Sequence, residues 1–232
     1  MKYEDFLTEL YSLQDLKYKQ FHSKLIMSDK LIGVRTPELK RIAKVIARSN
    51  YKEFFKKNKH ELYEENMVHG LVLGYLKLDF NELKPLVDEF IPYIDNWAVC
   101  DVTVSNLNVY KKNKTKDIVF EEIKKYISND NPWINRFGYV LILEYFIEEK
   151  YIEEIFKLCE NYKDHYYVKT AIAWLISMCY IKQKGRTLTF LKKNKLDSWT
   201  HNKAIQKIIE SYRVEDSDKK MLRSLKRKWN IW

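Results

Sequence analysis

One carboxylate in this sequence lies where a charge is costly. Asp101 follows Trp97 by four residues inside the run Trp-Ala-Val-Cys-Asp-Val-Thr-Val, too far into the predicted helix to cap its start. A charged group among apolar neighbours needs a partner or a purpose. Two interpretations stay open: an ion pair with Arg136, or electrostatic stabilisation of a cation that forms during a reaction.

The elements that must position Asp101 are predicted from a repeat of aromatic residues. The aromatics that open successive apolar helices are 34, 36, 33 and 33 residues apart, and they are Tyr63, Trp97, Trp133, Tyr166 and Trp199. Polar residues before four of them predict helix N-caps, namely Asp95-Asn96, Asn131, Asp164 and Asp197. Amphipathic partner helices are expected between them, at about 38–48, 80–91, 115–127, 150–162 and 185–194.

A helix pair every 33 to 36 residues is typical of an α-solenoid. Because the tetratricopeptide consensus is not evident, we expect an all-α fold of HEAT-like helical-pair repeats that form a curved superhelix with a basic concave face. No Pro/Gly/Ser-rich linker interrupts the chain, so residues 1–232 are expected to form one domain. Residues 1–35 are less regular and are expected to form an N-terminal helical cap.

The repeat also predicts which polar residues share a direction. Polar residues come one turn after four of these aromatics (Trp97, Trp133, Tyr166 and Trp199), and they are Asp101, Arg136, Lys169, Asn202 and Lys203. For most of the five aromatics, we favour the interpretation that they anchor helix–helix packing. The net charge of +10, from 42 Lys and Arg against 32 Asp and Glu, favours a polyanionic partner such as nucleic acid.

Other residue types exclude several classes of protein. Cys100, Cys159 and Cys179 match neither a zinc motif nor a disulfide framework, so we expect buried free thiols in a reducing cytosol and a cytoplasmic protein. The five histidines are scattered, and we expect no metal and no cofactor. The charged N-terminus and the absence of a long apolar run predict neither a signal peptide nor a membrane span.

Several segments resemble the HEAT-like DNA alkylation repair proteins, the AlkD-type alkylpurine DNA glycosylases. The segments are Gly33–Leu39, Asn96–Asp101, Trp133–Arg136, Tyr167–Trp174 and Asn202–Lys207, in the family's order and spacing. The resemblance implies an enzyme that hydrolyses the N-glycosidic bond of cationic N3- and N7-alkylated purines in duplex DNA. Such enzymes act without flipping the base into a pocket, unlike most glycosylases. We expect the protein to act as a monomer.

The resemblance also implies roles for individual residues. Asp101 corresponds to the catalytic aspartate, Trp97 and Trp174 to the aromatic pair at the lesion, and Arg136 to a key arginine. Further DNA contacts are expected from Trp133, Lys169 and Lys203, and from a helix formed by residues 16–22.

Two other functions stay open at this point. Where the family's glycosylases tend to place another arginine after the second tryptophan, this chain has Leu175-Ile176-Ser177. A non-catalytic HEAT-like protein that binds damaged or branched DNA would need no such residue. A solenoid whose basic face binds an acidic protein partner is the third possibility.

Overall fold

The computed structural model describes residues 1–112 and 115–228. Every regular element in these two stretches is helical, which confirms the predicted all-α class. The α-helices are α1 (Tyr3–Ser12), α2 (Leu16–Ile26), α3 (Thr36–Arg48), α4 (Tyr51–Lys57), α5 (Tyr63–Tyr75), α6 (Phe80–Phe90), α7 (Trp97–Asn106), α8 (Lys116–Ile127), α9 (Pro132–Tyr145), α10 (Ile152–Glu160), α11 (Tyr166–Lys182), α12 (Lys184–Lys193), α13 (Ser198–Glu210) and α14 (Asp216–Ser224). Short 3₁₀ turns cover Ile91–Tyr93 and Asn108–Lys111.

The helix boundaries confirm the alternation that the aromatic repeat predicts. Helices α5, α7, α9, α11 and α13 begin within one residue of the five aromatics, and α3, α6, α8, α10 and α12 occupy the predicted partner segments. The N-terminal segment forms α1 and α2. Helix α4 is not predicted, because its seven residues carry too little periodic signal.

The predicted N-caps are confirmed at three helix starts and wrong at one. The side chains of Asn96, Asn131 and Asp197 accept backbone N–H groups at the starts of α7, α9 and α13. At the start of α11 the cap is His165, whose Nδ1 accepts from the Tyr167 N–H at 3.3 Å. The predicted cap, Asp164, instead accepts from the Lys169 ammonium.

The described chain divides into two compact units, Met1–Thr115 and a second unit from Lys116 onward. In the first unit α5 packs between α3 and α7, with α6 against its side. In the second unit α9 packs against α8 and α11, and α11 packs in turn against α12 and α13. The three cysteines are buried free thiols, as predicted.

A buried carboxylate joins α5 to the segment before α3. Glu64 is fully buried, and its two oxygens accept from the backbone N–H groups of Ile32, Gly33 and Val34 at 2.7 to 3.1 Å. Gly33 has φ +100°, a conformation that side chains rarely adopt, and a Cβ there would lie 2.6 Å from Cβ of Lys19. The resembling segment at Gly33 therefore has a structural role.

Helix α7 is held close to α5 because α5 lacks a side chain at the crossing. A Cβ on Gly70 would lie 1.9 Å from Oγ1 of Thr103, which is itself fully buried in α7. Interiors are packed too densely to absorb such an atom without movement. Gly70 therefore sets the distance between α5 and the helix that carries Trp97 and Asp101.

We expect Gly70→Ala to lower the free energy of unfolding by about 1–2 kcal/mol, because overpacking outweighs the gain in helix propensity. Gly185→Ala is the matched control, since a Cβ at Gly185 in α12 meets nothing within 4 Å. That variant should gain up to about 1 kcal/mol. Urea unfolding followed by circular dichroism measures both, and two equal shifts would contradict the packing argument.

Candidate functional site

Helix α7 presents two of the predicted site residues on one open face. Its buried side consists of Ala98, Val99, Cys100, Thr103 and Val104. The opposite side is half-buried or exposed, and Trp97, Asp101 and Ser105 follow one another along it at intervals of four residues. Asp101 therefore lies on the accessible side of α7, one turn after Trp97, and it is the only charged residue of this helix.

The Trp97 ring is fixed at the end of α2. Its Nε1–H donates to the carbonyl of Leu25 at 3.3 Å, and the indole stays half-buried. Because α7 starts at Trp97 with Asn96 as its cap, the ring lies at the N-terminal end of the open face. An aromatic ring one turn from a carboxylate can place a cationic group against both.

In the second unit Trp133 and Arg136 both contact the first turn of α11. The guanidinium of Arg136 is buried, with the residue 5% exposed, and its Nη1 donates to the carbonyl of Tyr167 and to Oγ1 of Thr170 at 2.7 and 3.1 Å. The Trp133 ring packs on the Tyr167 ring with centroids 4.7 Å apart. Arg136 thus has a structural role between α9 and α11, whatever further contact it makes.

Lys169 lies in an acidic environment that the sequence did not reveal. Its ammonium is 3.1 Å from Asp164 and 3.3 Å from Asp197, and it lies 5.4 Å from the Trp199 ring centroid. Burial lowers the pKa of Lys169, but hydrogen bonding to Asp164 and the charge of Asp197 outweigh burial and raise it. A phosphate would have to compete with two carboxylates for this ammonium.

Trp174 differs from Trp133 and Trp199 in its surroundings. It is half-buried in the middle of α11, and within residues 1–112 and 115–228 its indole has neither a hydrogen-bond acceptor nor a ring partner. Ser177 is buried, and its hydroxyl donates to the Trp174 carbonyl at 2.7 Å. The position where a basic residue is expected therefore holds a hydroxyl that is turned back onto its own helix.

Lys203 is accessible, whereas its neighbour Asn202 has a structural role. The half-buried Lys203 has no ion pair within the described part of the chain. Asn202 is buried, and its amide both donates to the carbonyl of Arg227 and accepts from its N–H, at 2.9 and 2.8 Å. The Arg227 guanidinium in turn donates to carbonyls of Asn194 and Leu196. Asn202 and Arg227 therefore hold the segment after α14.

A family model described as DNA alkylation repair enzyme matches residues 6–208. The chain belongs to this family. The matched interval contains α7, α9 and α11 and most of α13, and with them every residue singled out above as catalytic or DNA-binding. A search of curated proteins finds no match.

Two further observations concern what this family member could bind. Among the residues that the structure describes, no three His, Cys, Asp or Glu side chains lie together as a metal ion would require. No described helix is both long enough and apolar enough to cross a membrane. The family assignment points to alkylated DNA as the substrate.

The sequence predicted Asp197 only as a helix cap, but its carboxylate also lies beside the Lys169 ammonium. Burial pushes its pKa upward, but hydrogen bonds from Thr200 and Tyr162 and the charge of Lys169 outweigh burial and lower the pKa from 3.8 to about 2. Its carboxylate therefore caps α13 and holds Lys169 at the same time.

The lowered pKa of Asp197 predicts a pH dependence of stability. Because the folded pKa lies below the unfolded one, the ionised carboxylate stabilises the fold above about pH 4, and this contribution is lost as the pH falls towards 2. Since the group is partly exposed, we expect Asp197→Asn to cost about 1 kcal/mol at pH 6 and much less at pH 2. Urea unfolding at several pH values measures this difference, and a constant difference would contradict the assignment.

Proposed function

We propose that the protein is a monofunctional DNA glycosylase that hydrolyses the N-glycosidic bond of cationic N3- and N7-alkylated purines in duplex DNA. The observation that carries the proposal is the open face of α7, where the Asp101 carboxylate follows Trp97 by one turn inside a family-matched segment. A carboxylate that is the only charged residue of its helix and lies on the accessible side is suited to act on a ligand.

The chemistry needs little from the protein beyond a well-placed negative charge. An alkylated purine is cationic, so it leaves as a neutral base with the electron pair of the bond between C1′ and the purine nitrogen. The sugar becomes oxocarbenium-like, and the Asp101 carboxylate stabilises that positive charge. Water then adds to C1′, and Asp101 accepts one of its protons. The products are a free alkylpurine and an abasic site.

The aromatic residues and the cations supply binding. Trp97 and Trp174 pack on the sugar and the cationic base, for which the unpartnered indole of Trp174 is available. Lys203 contacts a phosphate, and Arg136, Trp133 and Lys169 hold in place the helices that present it. We further propose that the helix pairs within each unit are HEAT-like repeats, whose second helices carry these residues in one domain. A monomer suffices for this chemistry.

Binding without chemistry is the second candidate, and one observation favours it. Ser177 occupies the position of an expected arginine, and its hydroxyl is committed to the Trp174 carbonyl. A protein with this substitution would still bind DNA through Lys203 and the tryptophans. It would release no base.

We expect Asp101→Asn to lower the rate of base release by about 100-fold or more, because the amide cannot stabilise the oxocarbenium charge. Duplex affinity should change by about twofold or less. Single-turnover release of free base from DNA that carries N7-methylguanine measures the effect.

Asp95→Asn is the matched control for Asp101→Asn, since Asp95 is exposed just before α7 and, among the described residues, its carboxylate accepts only from the neighbouring Asn96 amide. It should release base at the wild-type rate. If the wild-type protein and both variants release base equally, Asp101 has no catalytic role. If none releases base while all bind DNA, the protein binds DNA without catalysing base release.

The two lysines should differ in their contribution to DNA binding. Lys203→Ala should weaken duplex binding several-fold and lower the slope of log affinity against log salt by about 0.9, as expected for one lost phosphate contact. Lys169→Ala should change the slope much less, because two carboxylates already neutralise that ammonium. Fluorescence anisotropy at several salt concentrations measures both slopes, and equal slopes would contradict this distinction.

A further inference from the structure

A cavity of about 570 Å³ opens in the first unit, between α4, the segment before α5, and α6. Its wall includes Lys52, Lys56, His60, His69, Glu89 and Tyr93. Neither Asp101 nor Trp97 lines it, so the proposed glycosylase chemistry does not use it. The size is in the range of cavities that hold small organic ligands.

His69 presents a hydrogen-bond donor to this cavity. Oδ1 of Asn58 accepts from the His60 N–H at 3.3 Å, so the amide nitrogen of Asn58 faces Nδ1 of His69, 3.5 Å away. Nδ1 therefore accepts, and the proton lies on Nε2. Burial, and then the neighbouring His60, lower the pKa of His69 well below its ordinary value, which keeps the ring neutral.

The Nε2–H of His69 has no partner within the described residues, although the residue is only 5% exposed. The ring cannot turn away, because it is stacked between Phe55 and Phe90 with centroids 3.9 and 4.5 Å away. A donor that is held rigidly at a cavity wall is available to a ligand.

His60 presents the opposite polarity beside it. The amide nitrogen of Asn66 donates to the Tyr93 carbonyl at 3.2 Å, so its Oδ1 faces Nδ1 of His60 at 2.6 Å. Nδ1 of His60 therefore carries the proton, and its Nε2 is an acceptor. The two imidazole centroids are 5.1 Å apart. A fixed donor and a fixed acceptor thus stand next to each other.

A second Asn–His pair shows what a purely structural version looks like. The Asn194 amide faces Nδ1 of His201 at 3.1 Å, as Asn58 faces His69. At His201, however, Nε2 lies 2.9 Å from the Leu225 carbonyl and is satisfied inside the protein. The pair at His69 differs in that its outer nitrogen is left for the cavity.

The rim of the cavity is cationic on one side. Lys52 and Lys56 lie one turn apart on α4, and neither has an ion pair within the part of the chain that the structure describes. Lys57, next to them, pairs with Glu53 at 3.2 Å and does not line the cavity. Glu89 is the one carboxylate in the lining. Two free ammonium groups on one helix favour a phosphate.

We propose that this cavity binds a nucleotide, with its phosphate on Lys52 and Lys56 and the edge of its base on His60 and His69. A base edge carries neighbouring donors and acceptors, which match the fixed donor and acceptor of the two imidazoles. The outer face of Tyr93, which stacks on His60 and is 48% exposed, offers a flat surface for the base. Glu89 is placed to accept from a hydroxyl or amino group.

The nucleotide could be free or the 5′-phosphorylated end of a DNA strand, and calorimetric titration distinguishes these sources. Adenosine and guanosine 5′-monophosphate, inorganic phosphate, and short single strands with and without a 5′-phosphate serve as probes. We expect a mononucleotide to bind with a Kd below about 1 mM and at least about tenfold more tightly than inorganic phosphate. A 5′-phosphorylated strand that binds more tightly than the free nucleotide would assign the site to strand ends, and the reverse would assign it to free nucleotides.

The lysine variants make the proposal falsifiable without disturbing the buried rings. Lys52→Ala combined with Lys56→Ala should weaken nucleotide binding about tenfold, and Lys57→Ala should leave it unchanged within about twofold. Three results would overturn the proposal. These are no binding of any nucleotide probe at about 5 mM, equal affinity for a nucleotide and for inorganic phosphate, or an equal loss of affinity in the double variant and in Lys57→Ala.

Discussion

Side-chain caps at the first turns of α7, α9, α11 and α13 determine where these aromatic-bearing helices begin. A helix start leaves backbone N–H groups without partners, and Asn96, Asn131, His165 and Asp197 accept them here. A cap fixes the residue at which a helix begins, and helical geometry then fixes the direction of every later side chain. Asp101 lies five residues after the Asn96 cap, so the cap determines that this carboxylate lies on the open face of α7.

The caps and buried polar groups also decide which charges are left for a ligand. Asp197 caps α13 and holds Lys169. Lys203, one turn into the same helix, has no carboxylate partner among the described residues. Arg136 contributes donors to α11, and Arg227 is used to hold the segment after α14. The net charge of +10 therefore overstates the number of cations available to DNA. Position within the hydrogen-bond network, rather than charge, selects the contacts.

The sequence predicted the helices well because aromatic spacing and cap residues are local signals. It predicted the cap of α11 wrongly, since a histidine and an aspartate precede that helix and only the fold shows that Asp164 is drawn to Lys169. The sequence also did not predict that His60 lies beside His69. They are nine positions apart in the chain, and α5 and its preceding turn bring their rings together. Such contacts depend on packing that no local pattern encodes.

As a glycosylase, this family member would break a glycosidic bond rather than only bind damaged DNA. The most direct test is to incubate the wild-type protein with duplex DNA carrying N7-methylguanine and to count both products. We expect equal amounts of free 7-methylguanine and abasic sites, with no strand break before alkali treatment. Bound DNA with neither product would rule out a glycosylase and leave a protein that recognises alkylated DNA without chemistry.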